Sequence, residues 1–212
     1  LPSKNTREFC GLPLFYRAAE QGLIFADRCI ITTDIKSILE NNLPLPDGVE
    51  LQSRPAELST DDAPMSSVIL DALSKARSSG VTVLLLQATS PLRSSQDIKA
   101  SLDLFDSSEF PIVFTVSRSN PSVLKNGFLV DGKFSAISDS EFLFQNRQLL
   151  LQTYKPNGAV YVFDGDWFVE RNGFNFETAG AVEMPEERSF DIDSLSDFLK
   201  AESAFKSIDE AF

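Results

Sequence analysis

The sequence predicts an α/β fold, a Rossmann-like, mostly parallel sheet with helices on both faces. Three observations predict it. Strand-type and helix-type segments alternate through about residue 117, and such alternation implies right-handed crossovers onto a parallel sheet. Val81 to Leu86 is a continuous apolar run without polar alternation, the pattern of a strand covered on both faces in the middle of a parallel sheet. The length of 212 residues suits one such domain with a small appendage.

Each element follows in order. Leu14 to Leu23 has helical spacing, and Cys29-Ile30-Ile31 is a short strand ended by Thr32-Thr33-Asp34. Ile35 to Leu39 reads as a short helix and Val49-Glu50-Leu51 as a weak strand. The next helix carries Val68, Ile69, Ala72, Leu73 and Ala76 on one face. Asp61 and Asp62 are expected to cap it, with Pro64 in the first turn and Gly80 as the stop. After the Val81–Leu86 run, Ser94 and Asp97 form a capping box for a helix bearing Ile98, Leu102 and Phe105. Ile112 to Val116 is another buried strand.

Beyond Arg118 the rhythm breaks. Leu124 to Lys133 reads as short antiparallel strands with glycine turns, and Glu141 to Tyr154 has no clean period. The segment at about 120–156 is expected to be an arm outside the sheet, of a kind that serves dimers. Ala159 to Phe163 returns to a strand. A final helix opens near Ser194 with Leu195, Phe198, Leu199, Phe205 and Ile208 on one side.

Composition removes several classes of function. Hydrophobic residues at 42% and charged residues at 24% are ordinary for a globular chain. A net charge of −12 argues against a nucleic-acid binder, which needs clustered lysine and arginine. An anionic small substrate then requires a local cationic patch or a divalent metal. No apolar run approaches the roughly 18 residues of a membrane span. Cys10 and Cys29 make neither a disulfide framework nor a CxxC pair, which fits a reducing cytoplasm. The chain has no histidine, so histidine-dependent nucleophilic triads and histidine zinc sites are excluded.

In an open parallel sheet, ligands gather beyond the carboxyl ends of the strands, and three segments fall there. Gln87-Ala88-Thr89-Ser90-Pro91-Leu92-Arg93 offers an amide, hydroxyls and a guanidinium directly after the apolar run, or is simply a strand-to-helix turn. In Arg188-Ser189-Phe190-Asp191-Ile192-Asp193, two carboxylates at i and i+2 point to one side of an extended segment. That suits a hard divalent cation, which takes few protein carboxylates together with phosphate oxygens; Asp193 could equally cap the final helix. Lys4-Asn5 and Arg54 could hold phosphate.

These residues also carry a family resemblance. Leu86 to Arg93 resembles the L-Q-P-T-S-P-L-R signature of the acylneuraminate cytidylyltransferases, the CMP-sialic acid synthetases. Lys4-Asn5-Thr6, Phe9 to Leu14, Thr33-Asp34, Arg54 to Leu58, Asn157 to Tyr161 and Asp191-Ile192-Asp193 match that family in the same order. The resemblance implies a fold of the nucleotide-diphospho-sugar transferase type and transfer of CMP from CTP to a nonulosonic (sialic-type) acid. It implies that Lys4 and Asn5 touch the CTP phosphates and ribose, and that Arg54 lies against the nucleotide. Gln87 would bind the sugar acid, with Ser90 and Arg93 shaping its turn. Asp191 and Asp193 would hold Mg²⁺, and with Lys4 form the catalytic set. Lys125, Arg147, Asn157 and Tyr161 would line the sugar pocket, part of it supplied by the partner in a homodimer.

Two departures stand out. Ala88 replaces the usual proline of the signature. The family also opens with a strand and an A-R-x-G-S-K loop that would lie just before Leu1, and that loop is expected to precede this sequence in the native protein. Alternatives are an enzyme for the eight-carbon Kdo sugar, or a catalytically inactive nucleotide- or sugar-binding module.

Overall fold

A computed structural model describes residues 1–209 except residue 78. Its amino-terminal portion contains a 3-10 turn at Lys4–Thr6, a small hairpin of β1 (Glu8–Phe9) and β2 (Leu12–Pro13), and α1 (Leu14–Phe25). Strand β3 (Cys29–Thr33), the short α2 (Lys36–Leu39) and β4 (Val49–Ser53) follow, with β3 and β4 paired in parallel from Cys29↔Val49 to Thr33↔Ser53. Next come α3 (Met65–Ala76), β5 (Thr82–Leu86), α4 (Ser95–Asp106) and β6 (Ile112–Ser119). The arm holds a hairpin of β7 (Gly127–Val130) and β8 (Lys133–Ala136) and three 3-10 turns. The chain closes with β9 (Thr153–Asp164), α5 (Gly165–Glu170), β10 (Ala179–Glu183) and α6 (Leu195–Asp209).

The fold is α/β, as expected, but the sheet is mixed. Its four-stranded part runs β10-β6-β9-β5; β10 and β6 are parallel, while β9 is antiparallel to both neighbours. Strand β5, expected in the middle of a parallel sheet, is the end strand here and pairs antiparallel with β9. Its apolar run is explained by cover instead: Leu84 and Leu86 pack on the cluster of Ile98, Val160 and Val162, and Val83 and Leu85 on that of Ile69, Phe163 and Phe168.

Two helix boundaries differ from expectation. Neither Asp61 nor Asp62 caps α3, because Pro64 occupies the N-cap position without a side-chain bond. Arg77, at φ 50, ends α3 in the left-handed conformation before Gly80 is reached. The Ser94–Asp97 capping box is present at α4, with the Ser94 amide donating to Asp97 Oδ2 at 2.7 Å. On α6 the buried stripe is Phe198, Ala201 and Phe205, while Leu195 and Leu199 face outward; the side chain of Ile208 lies outside the described residues.

What positions the site is an irregularity between β6 and β9. Pairing runs regularly to Phe114↔Tyr161 and resumes at Val116↔Pro156, so Thr115 alone stands against Asn157–Val160. Extra residues in one strand bend it and leave backbone free of the ladder. Here the freed residues are Asn157, Gly158 and Ala159, just beyond the Leu86↔Val160 pair and beside the turn that leaves β5.

Candidate active site

The turn after β5 is held from within. Arg93 is 3% exposed, and its guanidinium donates to Gln87 O at 2.7 Å, Ala159 O at 3.1 Å and Gln21 Oε1 at 2.8 Å. Burial without a carboxylate partner pulls its pKa down to about 9. Arg93 thus points into the protein and shapes the turn. Ser90 is also fully buried, and its Oγ has no hydrogen-bond partner among the described residues. Neither lines the adjoining cavity.

That cavity, about 460 Å³, is lined by Gln87, Lys155, Pro156, Asn157, Gly158, Tyr161, Ser189 and Asp191. It brings together three of the expected segments: the turn after β5, the Asn157–Tyr161 stretch and the acidic segment. Gly158, at φ +77, approaches Gln87 so closely that a Cβ there would stand 3.1 Å from Gln87 Oε1. Only glycine takes this conformation cheaply. Asn157 lines the cavity but is chiefly a strut. Its Oδ1 accepts from Thr115 Oγ1 at 2.6 Å and from the Ala159 amide, and its Nδ2 donates to Ser189 Oγ at 3.0 Å. Tyr161 is stacked between Phe114 and Phe174. Burial, and secondarily the Asp191 charge, raises its pKa above the ordinary tyrosine value, so at neutral pH it is a hydrogen-bond donor.

The acidic segment docks onto the turn by one backbone bond, the Ile192 amide donating to Thr89 O at 2.9 Å. Ile192 is fully buried, so Asp191 and Asp193 flank it on the exposed side. Asp191 faces the cavity. Asp193 accepts from Lys4 Nζ at 2.8 Å, while Lys4 also donates to Ile192 O at 2.9 Å. The final helix is capped by Ser194 and Asp197, whose amide and hydroxyl bonds form a closed box. Asp193 is therefore not needed as its cap.

The remaining expected residues lie elsewhere. Arg54 donates Nη2 to Thr32 O at 2.6 Å beyond the parallel ends of β3 and β4, and its Nε is a buried donor with no partner among the described residues. Asn5 Oδ1 is likewise buried and unpartnered. Unpaired buried polar atoms are uncommon, and water or a ligand can complete the bonding of such a group. Lys125 donates to Gln145 O in the arm, Arg147 is exposed in a neighbouring 3-10 turn, and neither lines the cavity. Lys155 and Ser189 do line it and were not anticipated. Lys155 lies two residues before Asn157 on one strand, a spacing that puts side chains on one face.

No family model matches the chain. Among curated proteins, the N-acylneuraminate cytidylyltransferase of Streptococcus agalactiae serotype III (strain NEM316) is 30% identical over 211 residues, 94% of this chain and 48% of that protein. The enzyme of the same name from Escherichia coli O18:K1:H7 (strain RS218 / NMEC) is 32% identical over 206 residues, 93% of this chain and 47% of its own. Over nearly its whole length this chain is similar to acylneuraminate cytidylyltransferases. It spans about half the length of the streptococcal and E. coli relatives. It also matches the CMP-N,N'-diacetyllegionaminic acid synthase of Legionella pneumophila subsp. pneumophila (strain Philadelphia 1 / ATCC 33152 / DSM 7513), at 26% identity covering 100% of this chain and 93% of that one. The fold matches a solved CMP:2-keto-3-deoxy-manno-octonic acid synthetase complexed with CTP, at a TM-score of 0.69 and 13% identity, covering 98% of this chain and 93% of the other.

Proposed function

We propose that this chain transfers CMP from CTP to the anomeric hydroxyl of a nonulosonic (sialic-type) acid. The hydroxyl oxygen attacks the α-phosphorus, the bond to the β-phosphate oxygen breaks, and pyrophosphate leaves. The observation that carries the reading is the junction of the acidic segment with the turn after β5. One cavity is shared by Gln87, Tyr161 and Asp191, and a 2.9 Å backbone bond ties the two loops.

Side-chain chemistry supports the assignments. Lys4, Asn5 and Arg54 supply a cation, an orphaned amide oxygen and an orphaned guanidinium N–H for the nucleotide. Gln87 and the protonated Tyr161 offer hydrogen bonds to the sugar acid, and Lys155 offers a positive charge at the cavity wall. Asp191 and Asp193 suit Mg²⁺: two exposed carboxylates flanking the buried Ile192, with phosphate and water left to complete the shell. Bound there, Mg²⁺ supplies charge neutralisation for the phosphates and the leaving pyrophosphate. The remaining catalysis is positioning by the residues just named.

A homodimer belongs to the same reading. The arm exposes Phe128, Leu129, Val130, Phe134 and Phe144, an apolar surface of the kind that marks association, and a second copy would bring Lys125 and Arg147 to a neighbouring cavity. A cytoplasmic setting agrees with Cys10 and Cys29 forming neither a disulfide framework nor a CxxC pair in the sequence.

The test is pyrophosphate release from CTP and Mg²⁺ by the full-length protein across a panel of nine-carbon acids and Kdo. Turnover with at least one nine-carbon acid is expected. Turnover with Kdo alone would overturn the sugar class, and none with a folded protein would overturn the activity.

A further inference from the structure

The segment from Met184 to Asp193 contains only a single 3-10 turn, yet it has to hold Asp191 at the cavity mouth. Lys4 holds its far end through Ile192 O and Asp193, and its other anchors are few. The Met184 amide donates to Val116 O at 2.7 Å where β10 ends, and the Ile192 amide donates to Thr89 O. Between them the backbone is fixed from outside by two side chains. Ser189 Oγ accepts from Asn157 and donates to Pro185 O at 2.8 Å. Arg188 reaches across to α4, with Nη2 on Asp97 Oδ1 at 2.7 Å and Nε on Asp97 Oδ2 at 3.3 Å.

Among the described ion pairs, Arg188–Asp97 stands apart by burial; Arg28–Glu50 is also forked, but both of its side chains are exposed. The Asp97 side chain is only 7% exposed, the lowest exposure among the described pairs' carboxylates. The contact is a two-pronged fork, which fixes orientation as well as distance. Asp97 is itself immobile: it closes the capping box of α4, accepting from the amide and hydroxyl of Ser94 at 2.7 and 2.8 Å. Ser94 follows directly on Arg93, whose guanidinium holds the carbonyl of Gln87. A continuous set of bonds therefore runs from Gln87 through Arg93, Ser94 and Asp97 to Arg188, three residues before Asp191.

We propose that Arg188, gripped by Asp97, is a positioning residue that sets the Asp191 carboxylate against the turn bearing Gln87. The inference rests on the reading that Asp191 is a metal ligand of the transfer reaction. Removing one partner of a largely buried fork leaves the other charge uncompensated, and the loop then re-aims its carboxylates. Residues that orient metal ligands from outside the coordination shell usually cost about 10–100-fold in metal affinity or activity when changed.

The experiment uses the full-length protein with Arg188→Gln, Arg188→Lys, Asp97→Asn, the Gln/Asn double variant and Ser94→Ala. Two readouts are taken: the Mg²⁺ concentration for half-maximal pyrophosphate release, and Mn²⁺ affinity with CTP present, followed by electron paramagnetic resonance without turnover. Arg188→Gln and Asp97→Asn should each weaken metal affinity about 10-fold or more. The double variant should be no worse than either alone, and Arg188→Lys should recover part of the loss. The KM for the sugar acid should stay near the wild-type value. Ser94→Ala, which removes the hydroxyl bond to Asp97 but leaves its backbone-amide bond and the fork, should lower stability and shift the metal readouts far less than Arg188→Gln does. Wild-type metal affinity in folded Arg188→Gln, or an equal shift in Ser94→Ala, overturns the proposal. A wild type whose turnover ignores Mg²⁺ overturns instead the metal reading on which it rests, and the inference with it.

Discussion

Gly158→Ala is the substitution in which fold and chemistry are most directly coupled. Gly158 stands at φ +77, and a Cβ added there meets Gln87 Oε1 at 3.1 Å and Gln87 Cδ at 3.7 Å. The left-handed backbone alone costs a non-glycine residue roughly 1–2 kcal/mol. The contact with Gln87 is tighter than van der Waals packing tolerates, so the amide must move by a few tenths of an ångström. Misplacement of a reacting group by about 1 Å can cost on the order of 100-fold in rate, so a shift of this smaller size predicts a loss of about 10-fold in kcat/KM. Gly80→Ala provides the control. Gly80 is also left-handed, at φ +64, but a Cβ there meets nothing within 4 Å, and it precedes the opposite end of β5. Urea unfolding of the two variants should show similar destabilisation, about 1–2 kcal/mol each. Pyrophosphate release should fall only in Gly158→Ala. Full activity in that variant, or an equal loss in Gly80→Ala, would refute the claim that Gly158 exists to let Gln87 into the cavity.

Two further outcomes follow from the same geometry. Arg93→Ala strips donors from the carbonyls of Gln87 and Ala159 and from Gln21; it should destabilise the fold by about 2–4 kcal/mol and lower the melting temperature by about 5–15 °C, as read by calorimetry. Tyr161 has its pKa raised by burial and by Asp191, so the stability it contributes is fully present below the ordinary tyrosine pKa of about 10 and is lost as pH rises through its folded value. In an alkaline absorbance titration, Tyr161→Phe should remove the part of the tyrosinate signal above the ordinary range; a curve that loses only its ordinary-range portion would contradict the placement.

Much of the fold was legible because local chemistry and tertiary structure agree. The Ser94–Asp97 box, the hairpin around Asp131-Gly132, and the alternation of Asp191, Ile192 and Asp193 depend on neighbours in sequence, and the structure holds all three. What failed depends on partners far along the chain. The run at Val81–Leu86 reports that both faces are covered, not who the strand's neighbours are, so its antiparallel end position was invisible. Strand β10 was missed because Ala179-Gly180-Ala181 carries too little apolar bulk to read as buried, and α5 because six residues are too few to show a period. At the site, the sequence left Arg93 either as a guanidinium for a ligand or as a shaper of the turn; its burial among carbonyls, a matter of distant partners, agrees with the second. Lys155 was passed over because a lone lysine on a strand reads as solvated surface. Ser189 was hidden because its role comes from Asn157, 32 residues earlier.

The central proposal is that the carboxylate of Asp191, at the mouth of the cavity shared with Gln87, would hold the Mg²⁺ that offsets charge on the transferring phosphate. The most direct measurement is the rate of pyrophosphate release from CTP by Asp191→Ala beside wild type, with Mg²⁺ and an accepted sugar acid. Because Asp191 is exposed, the variant should melt with the wild type while its turnover falls by at least about 100-fold, in line with the loss of one preorganised electrostatic contact. Release near the wild-type rate by the folded variant would contradict the account.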